Sequence, residues 1–278
     1  MVDRAARALP HFDSARRQIR ARMAGATSLF VAMDYDGTLF PSAERPELPR
    51  PTDETVSVLG SLARTPGVRV AVLSGRGLEE LRGLLPVQEL ALAGLHGLET
   101  WPPIRAHTGR IDVHRVRADL DRLLLMVQER LRGAPGPRIE DKRHAVTFHF
   151  SGVPKAAAAR MRNAVQAAFR EVLEGSSLVL VPGRELLEAR IAAVEKGGSA
   201  RAMQEKIAPG SLAIVIGDDQ TDEDFFAVFA RDGIPVVVGS PKKTRARYRL
   251  RGQEEVIPRL REIETLWRET RGAPQVGG

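Results

Sequence analysis

The stretch "VAMDYDGTLFP", Val31 to Pro41, places two aspartates, Asp34 and Asp36, one residue apart at the end of an apolar run and directly before a glycine. Asp-Gly between hydrophobic segments is among the strongest hairpin signals. Locally the stretch therefore reads as a turn at least as readily as a reactive pair, and the surrounding chain has to decide.

Working outward, "SLFVAMD" (28–34) reads as a buried strand, "TDETVSVLGSLAR" (52–64) as a helix capped by Thr52, and "VRVAVLSG" (68–75) as a second strand. This βαβ pattern resumes late in the chain. "SARAMQEKIA" (199–208) is helical and stops at Pro209-Gly210, "SLAIVIGD" (211–218) is a strand, "TDEDFFAVFARDG" (221–233) is a short helix and "IPVVVG" (234–239) another strand.

The middle differs. "VRADLDRLLLMVQERLRG" (116–133) is an amphipathic helix, "KRHAVTFHF" (142–150) has strand character, and "KAAAARMRNAVQAAFREVLEG" (155–175) puts Met161, Val165, Ala168, Phe169 and Val172 on one helical face. "SSLVLVPGRELLEARI" (176–191) offers two strands about a Pro-Gly turn. The expectation is an α/β protein: a parallel-sheet core in two pieces, 1–105 and 190–278, with an α+β domain inserted over 106–189.

Composition narrows the chemistry. The 278 residues, 43% hydrophobic, suffice for buried cores. No run approaches the roughly 18 apolar residues of a membrane span, and the opening segment lacks a signal peptide's apolar centre; a cytoplasmic protein with no membrane partner is expected. With no cysteine, a metal must sit on oxygen or imidazole, which favours Mg²⁺-type chemistry. A net charge of +7 alongside only 5% aromatic residues, with the bases scattered among acids, speaks against a nucleic-acid partner and for a general attraction to anions. A monomer is expected, since no long heptad or broad apolar stripe is evident.

In a parallel sheet, functional groups collect just past the carboxyl ends of strands. Four polar clusters lie at or beside such places: Asp34 and Asp36 after the first strand, Ser74-Gly75-Arg76 after the second, Lys196-Gly197-Gly198 before a late helix, and Asp218-Asp219 through Asp222 after "LAIVIG". Each alone has a plain structural reading as a turn, cap or solvated surface group. Together and in this order they resemble the four motifs of the haloacid dehalogenase superfamily of phosphotransferases.

That resemblance implies a Rossmann-like hydrolase core with a mobile cap between the second and third motifs, and a first motif that runs from the reactive pair into a small hairpin flap. It implies Asp34 as nucleophile, Asp36 as general acid and base, Ser74 as a phosphoryl ligand and Lys196 as the balancing charge. Mg²⁺ would be held by Asp34, the Asp36 carbonyl and Asp218, with Asp222, and less directly Asp219, orienting the lysine or a metal-bound water. Gly75 and Arg76 would line the substrate's phosphate.

Further stretches resemble trehalose-6-phosphate phosphatases: "LAGLHGLE" (92–99), "EDKRHAVTFHF" (140–150), "LLEARIAAVEKGGSA" (186–200) and "GDDQTDEDFF" (217–226). The resemblance implies that Glu140, Lys142 and Glu188 bind sugar hydroxyls. Strand alternation sets Leu186, Glu188 and Arg190 on one face, opposite Leu187, Ala189 and Ile191. Glu140 and Lys142 share parity with Val146, Phe148 and Phe150, which requires a bend or bulge. The substrate expected is a small-molecule sugar phosphate. Trehalose 6-phosphate leads; a glucosylglycerate-type or sucrose phosphate, a phosphomannomutase-like phosphotransfer, and a basic nucleic-acid-binding or scaffold protein on the same fold remain open.

Overall fold

Residues Leu29–Asp34 form strand β1, and every one is buried, as befits a strand covered on both faces. Its alternation divides the side chains between two cores: Leu29, Val31 and Met33 join one apolar cluster, Phe30 and Ala32 the other. The computed structural model describes residues 9–41, 51–104, 111–133, 136–183, 185–240 and 243–272. The chain divides into two compact units, Met1–His107 with Glu195–Gly278, and Thr108–Val194.

In the first unit, helix α1 (Arg16–Ala24) precedes β1, and α2 (Asp53–Arg64), β2 (Val68–Leu73), α3 (Leu78–Leu84), β3 (Ala91–Gly94) and β4 (Glu99–Trp101) follow. The second unit holds α4 (Val113–Arg130), β5 (Arg138–Asp141), β6 (Val146–His149), α5 (Lys155–Leu173), β7 (Leu178–Gly183) and β8 (Leu186–Ile191). The chain then returns to the first unit with α6 (Lys196–Ile207), β9 (Leu212–Gly217), α7 (Glu223–Val228), β10 (Ile234–Val238), β11 (Tyr248–Leu250) and α8 (Val256–Gly272).

The first unit's sheet has the order β11-β10-β9-β1-β2-β3-β4. It is parallel except for β4, which runs antiparallel to β3. Thr52 caps α2, its side chain accepting from the Thr55 N–H, which satisfies one of the helix's unpaired donors. Helix α6 begins at Lys196, three residues before the expected start at Ser199. Gly197 in its first turn lets the helix pass close to α7, since a Cβ there would lie 2.5 Å from the Asp224 carbonyl oxygen.

The second unit is a four-stranded antiparallel sheet, β5-β6-β8-β7, with α4 and α5 packed together. Met161, Val165, Ala168, Phe169 and Val172 are all buried, the face their spacing predicts. Of the stretch 142–150 expected to have strand character, 146–149 form β6, while 142–145 make a chain reversal rather than a bend or bulge within one strand. The Lys142 N–H donates to the Ala145 carbonyl at 2.9 Å, Arg143 adopts φ 67°, and its N–H donates to Asp141 Oδ1 at 2.9 Å. The parity conflict between Glu140 and Phe148 vanishes because the two lie on different strands. Strand β8 runs on to Ile191, so a domain boundary at 190 would fall inside it. Among the described residues no helix is long and apolar enough to cross a membrane.

Candidate active site

The order β9-β1-β2 makes Asp34 the last residue of the central strand and sets Ser74 and Asp218 one residue beyond the ends of its two neighbours. Sequence distance is thereby erased. Lys196, on the first turn of α6, donates to Asp34 Oδ1 at 2.7 Å and to Asp222 Oδ1 at 2.8 Å, and it reaches Thr221 Oγ1 at 3.4 Å.

Asp222 is completely buried. Its second oxygen accepts from the backbone N–H groups of Asp218 (2.9 Å) and Asp219 (3.1 Å). Both of its oxygens are therefore engaged, and its work is to hold Lys196 and shape the turn. Gly217 admits it, since a Cβ there would lie 2.5 Å from the Asp222 carboxyl carbon. Asp219 is exposed and caps the 3₁₀ turn Gln220–Asp222, accepting from Gln220 N.

Asp218 Oδ1 accepts from Thr38 Oγ1 at 3.0 Å. Gly37, at φ +90°, is required here twice over: the turn needs that backbone, and a Cβ would fall 2.1 Å from Asp218 Oδ2. The turn itself is closed by the Gly37 N–H to the Phe40 carbonyl at 2.6 Å and the Phe40 N–H to the Tyr35 carbonyl at 3.0 Å. Asp36-Gly37 thus forms the turn that its sequence signals, directly after the Asp34 that ends β1. The rest of the expected flap, over 42–50, lies outside the described residues.

One oxygen each from Asp34, Asp218 and Asp222 lies within 4.8 Å of the others. Burial pushes the Asp34 carboxyl well above its usual range, Lys196 opposing this while Asp222 and Asp218 add to it. Asp218 is pushed up to about 7, by burial first and by Asp222 next. Burial works against charge on Lys196 too, but Asp222 and Asp34 outweigh it and hold its pKa above the ordinary value. One ammonium does not balance three carboxylates. Asp34 and Asp218 each keep an oxygen with no hydrogen bond among the described residues. Hard oxygen donors with unbalanced negative charge fit a divalent cation.

Ser74 is buried, and its Oγ accepts from the Arg76 N–H at 3.1 Å, which leaves the hydroxyl proton for another acceptor. The His96 ring closes over Gly75, where a Cβ would approach it to 3.0 Å. The side chain of Arg76 turns to Asp36, with Nε to Oδ2 and Nη2 to Oδ1 both at 2.8 Å.

In the second unit, Glu140, Thr147 and Glu188 sit opposite one another in register across β5, β6 and β8. Lys142 Nζ lies 3.2 Å from Glu188 Oε1 and 3.9 Å from Glu140 Oε1. His149 Nε2 lies 2.9 Å from Glu140 Oε2, and this hydrogen bond is the main cause that holds the Glu140 carboxyl below its usual range. The three residues expected to act together do share one polar face. Thr38, Thr221, Thr147 and His149 also bond to these candidate residues, contacts the sequence does not reveal, although Thr38 had a signal as the residue after Asp36-Gly37.

A parallel sheet whose central strand ends on a carboxylate paired to a lysine, with further aspartates from the neighbouring strand end, defines a protein of the haloacid dehalogenase fold. The family model described as trehalose-phosphatase matches residues 32–254, and the chain belongs to that family. A probable trehalose-phosphate phosphatase of Oryza sativa subsp. japonica is 33% identical over 276 residues, covering 88% of this chain and 72% of its own. A bifunctional trehalose-6-phosphate synthase/phosphatase of Thermoproteus tenax is 27% identical over 253 residues, 88% of this chain. The chain spans only 33% of that relative's length, and a smaller share of some others. The solved structure of Aspergillus fumigatus trehalose-6-phosphate phosphatase superimposes with a TM-score of 0.65 at 25% identity, covering 92% of this chain and 99% of that one.

Proposed function

We propose that the protein is a Mg²⁺-dependent phosphatase that hydrolyses trehalose 6-phosphate to trehalose and phosphate through an aspartyl-phosphate on Asp34. The observation that carries this reading is the buried pairing of Asp34 with Lys196, which occupies one carboxylate oxygen and leaves the other open. Family membership supplies the substrate class.

The open oxygen of Asp34 attacks phosphorus in line, and the bond from phosphorus to the sugar oxygen breaks. Asp36 gives its proton to that departing oxygen, then takes a proton from the water that attacks the aspartyl-phosphate. The bond to Asp34 breaks, and inorganic phosphate leaves. Ser74 donates its hydroxyl proton to a phosphoryl oxygen, and Lys196 balances the charge of Asp34 and the phosphate. Mg²⁺, for which Asp34, Asp218 and the Asp36 carbonyl are the proposed holders, would supply positive charge against the phosphoryl oxygens.

In this reading the unit containing β1 is the hydrolase core, and the inserted unit is a cap whose Glu140, Lys142 and Glu188 hold the sugar hydroxyls. The protein works as a cytoplasmic monomer without a nucleic-acid partner. Because Asp34, Asp36, Ser74 and Lys196 see only the phosphoryl group, discrimination falls to the cap residues. Phosphate release from trehalose, sucrose and glucose 6-phosphates and from an aryl phosphate tests this. Lys142→Ala, Glu140→Ala and Glu188→Ala are each expected to lower kcat/KM on trehalose 6-phosphate about 10- to 100-fold while sparing the aryl ester. A different preferred sugar would remove the substrate assignment, and equal losses on every substrate would make the three residues structural.

A further inference from the structure

Arg76, at the carboxyl edge of the sheet, has a heavily engaged side chain. Its Nε and Nη2 form two parallel bonds of 2.8 Å to the two oxygens of Asp36. Its Nη1 reaches Glu80, one turn along α3, and its guanidinium lies 5.3 Å from the Tyr35 ring centroid. The Arg76 side chain is 12% exposed, whereas that of Asp36 is 35% exposed. A short carboxylate on a turn, that open to water, has several rotamers within reach. A planar fork binding both oxygens selects one of them.

From this we infer that Arg76 is a positioning residue, which holds the Asp36 carboxylate in the orientation from which it serves the sugar oxygen and the attacking water. The inference rests on the proposed role of Asp36 as acid and base. The fork is compatible with that role. A carboxylate offers about four lone-pair sites, and two parallel bonds take one on each oxygen, so each oxygen keeps one for a proton. The same loop connects the fork to the phosphate side of the site, because the Arg76 N–H also sets the Ser74 hydroxyl. A direct substrate contact by Arg76, expected from its place in Ser-Gly-Arg, would have to use N–H groups other than the two in this fork.

The test is a double-mutant cycle of Arg76→Ala with Asp36→Asn, followed on trehalose 6-phosphate and on 2,4-dinitrophenyl phosphate, whose leaving group needs no proton. General acid and base catalysis is worth about 10²- to 10⁴-fold. Arg76→Ala is therefore expected to lower kcat on trehalose 6-phosphate about 100-fold with KM within about threefold. The first turnover of the dinitrophenyl ester should keep its wild-type rate, followed by a slowed steady state. Added guanidinium ion should restore part of the Arg76→Ala rate. Arg76→Lys should not restore it, since an ammonium does not make two parallel bonds.

In the Asp36→Asn background, Arg76→Ala should cost little more. An undiminished loss there, a loss confined to KM, or a slowed first turnover on the activated ester would each overturn the inference and assign Arg76 to the substrate or the scaffold. Wild-type turnover by Asp36→Asn would overturn the role of Asp36, and the inference with it. Arg76→Lys, which keeps a long stem beside Tyr35, runs the same cycle if Arg76→Ala does not fold.

Discussion

Lys196 Nζ and Asp34 Oδ1 stand 2.7 Å apart although 162 residues separate them in the chain. Both side chains are almost wholly shielded from solvent, so the attraction acts in a low dielectric and neither charge can be left alone cheaply. The pairing also limits how Asp34 presents itself, because Oδ1 is taken and only the other oxygen is left open.

Removing the lysine charge should therefore harm folding as well as turnover. Breaking a buried pair by deleting one partner costs about 3–5 kcal/mol, and Lys196→Ala leaves Asp34 beside Asp222 with no compensating cation. A drop of this size in urea-unfolding free energy is expected together with at least a 100-fold loss in kcat. Unchanged stability would show that Lys196 is not the charge that balances the cluster.

Asp34→Asn should abolish phosphate release, because an amide oxygen does not displace the sugar from phosphorus. Rapid-quench experiments with radiolabelled substrate are expected to trap a phosphoenzyme in the wild type and none in this variant. Turnover near the wild-type rate by Asp34→Asn would remove the covalent route.

The carboxylates crowded at the end of β1 and just beyond β9 should make the protein respond to a divalent cation even without substrate. At a concentration about 100 times its Kd, Mg²⁺ should stabilise the fold by about 2.7 kcal/mol, read as a rise in thermal midpoint that chelator reverses along with activity. Gly37→Ala tests the geometry. Its Cβ would fall 2.1 Å from Asp218 Oδ2, so both the thermal response and the turnover should be lost, and a normal response in this variant would separate Asp218 from the metal.

A stability prediction independent of the site comes from Glu264 on α8. Its Oε1 accepts from Ser61 and Thr65, on and just beyond α2, at 2.9 and 3.1 Å, and from Arg268 at 2.8 Å. Burial pushes its pKa up, but these bonds more than offset that and hold it below the ordinary 4.5. A depressed carboxyl pKa stabilises the fold above the unfolded value and loses that contribution as the pH falls through the folded one. Glu264→Gln should cost about 1–2 kcal/mol at neutral pH, and the gap to wild type should narrow below pH 4.5. A gap that does not depend on pH would mean that the charge contributes nothing.

Which residues meet at the site was legible from local pattern. Apolar runs of four to six residues, spaced by helical periodicity, mark a parallel sheet, and a parallel sheet gathers whatever follows its strands at one edge. Asp34, Ser74 and Asp218 could be read from those strand ends, and Lys196 and Asp222 from the order of the motifs. The apolar face of α5 and the alternation of β8 were legible for the same reason, since periods of 3.6 and 2 are properties of the backbone alone.

Who bonds to whom was not legible, because partners are chosen by strand order, register and rotamer, none of which a local period encodes. Only the tertiary structure decides that both oxygens of Asp222 are consumed by Lys196 and two backbone N–H groups, that Asp219 faces solvent as a cap, and that Thr38 steadies Asp218. It also places the Arg76 fork on Asp36. The reversal between β5 and β6 escaped for a related reason: Arg143 takes a left-handed backbone that its residue type does not announce, supported by Asp141 and by the pairing of the strands on either side. The three-residue strands β4 and β11 are too short for any period to show, and they exist because β3 and β10 each offer an open edge to pair with.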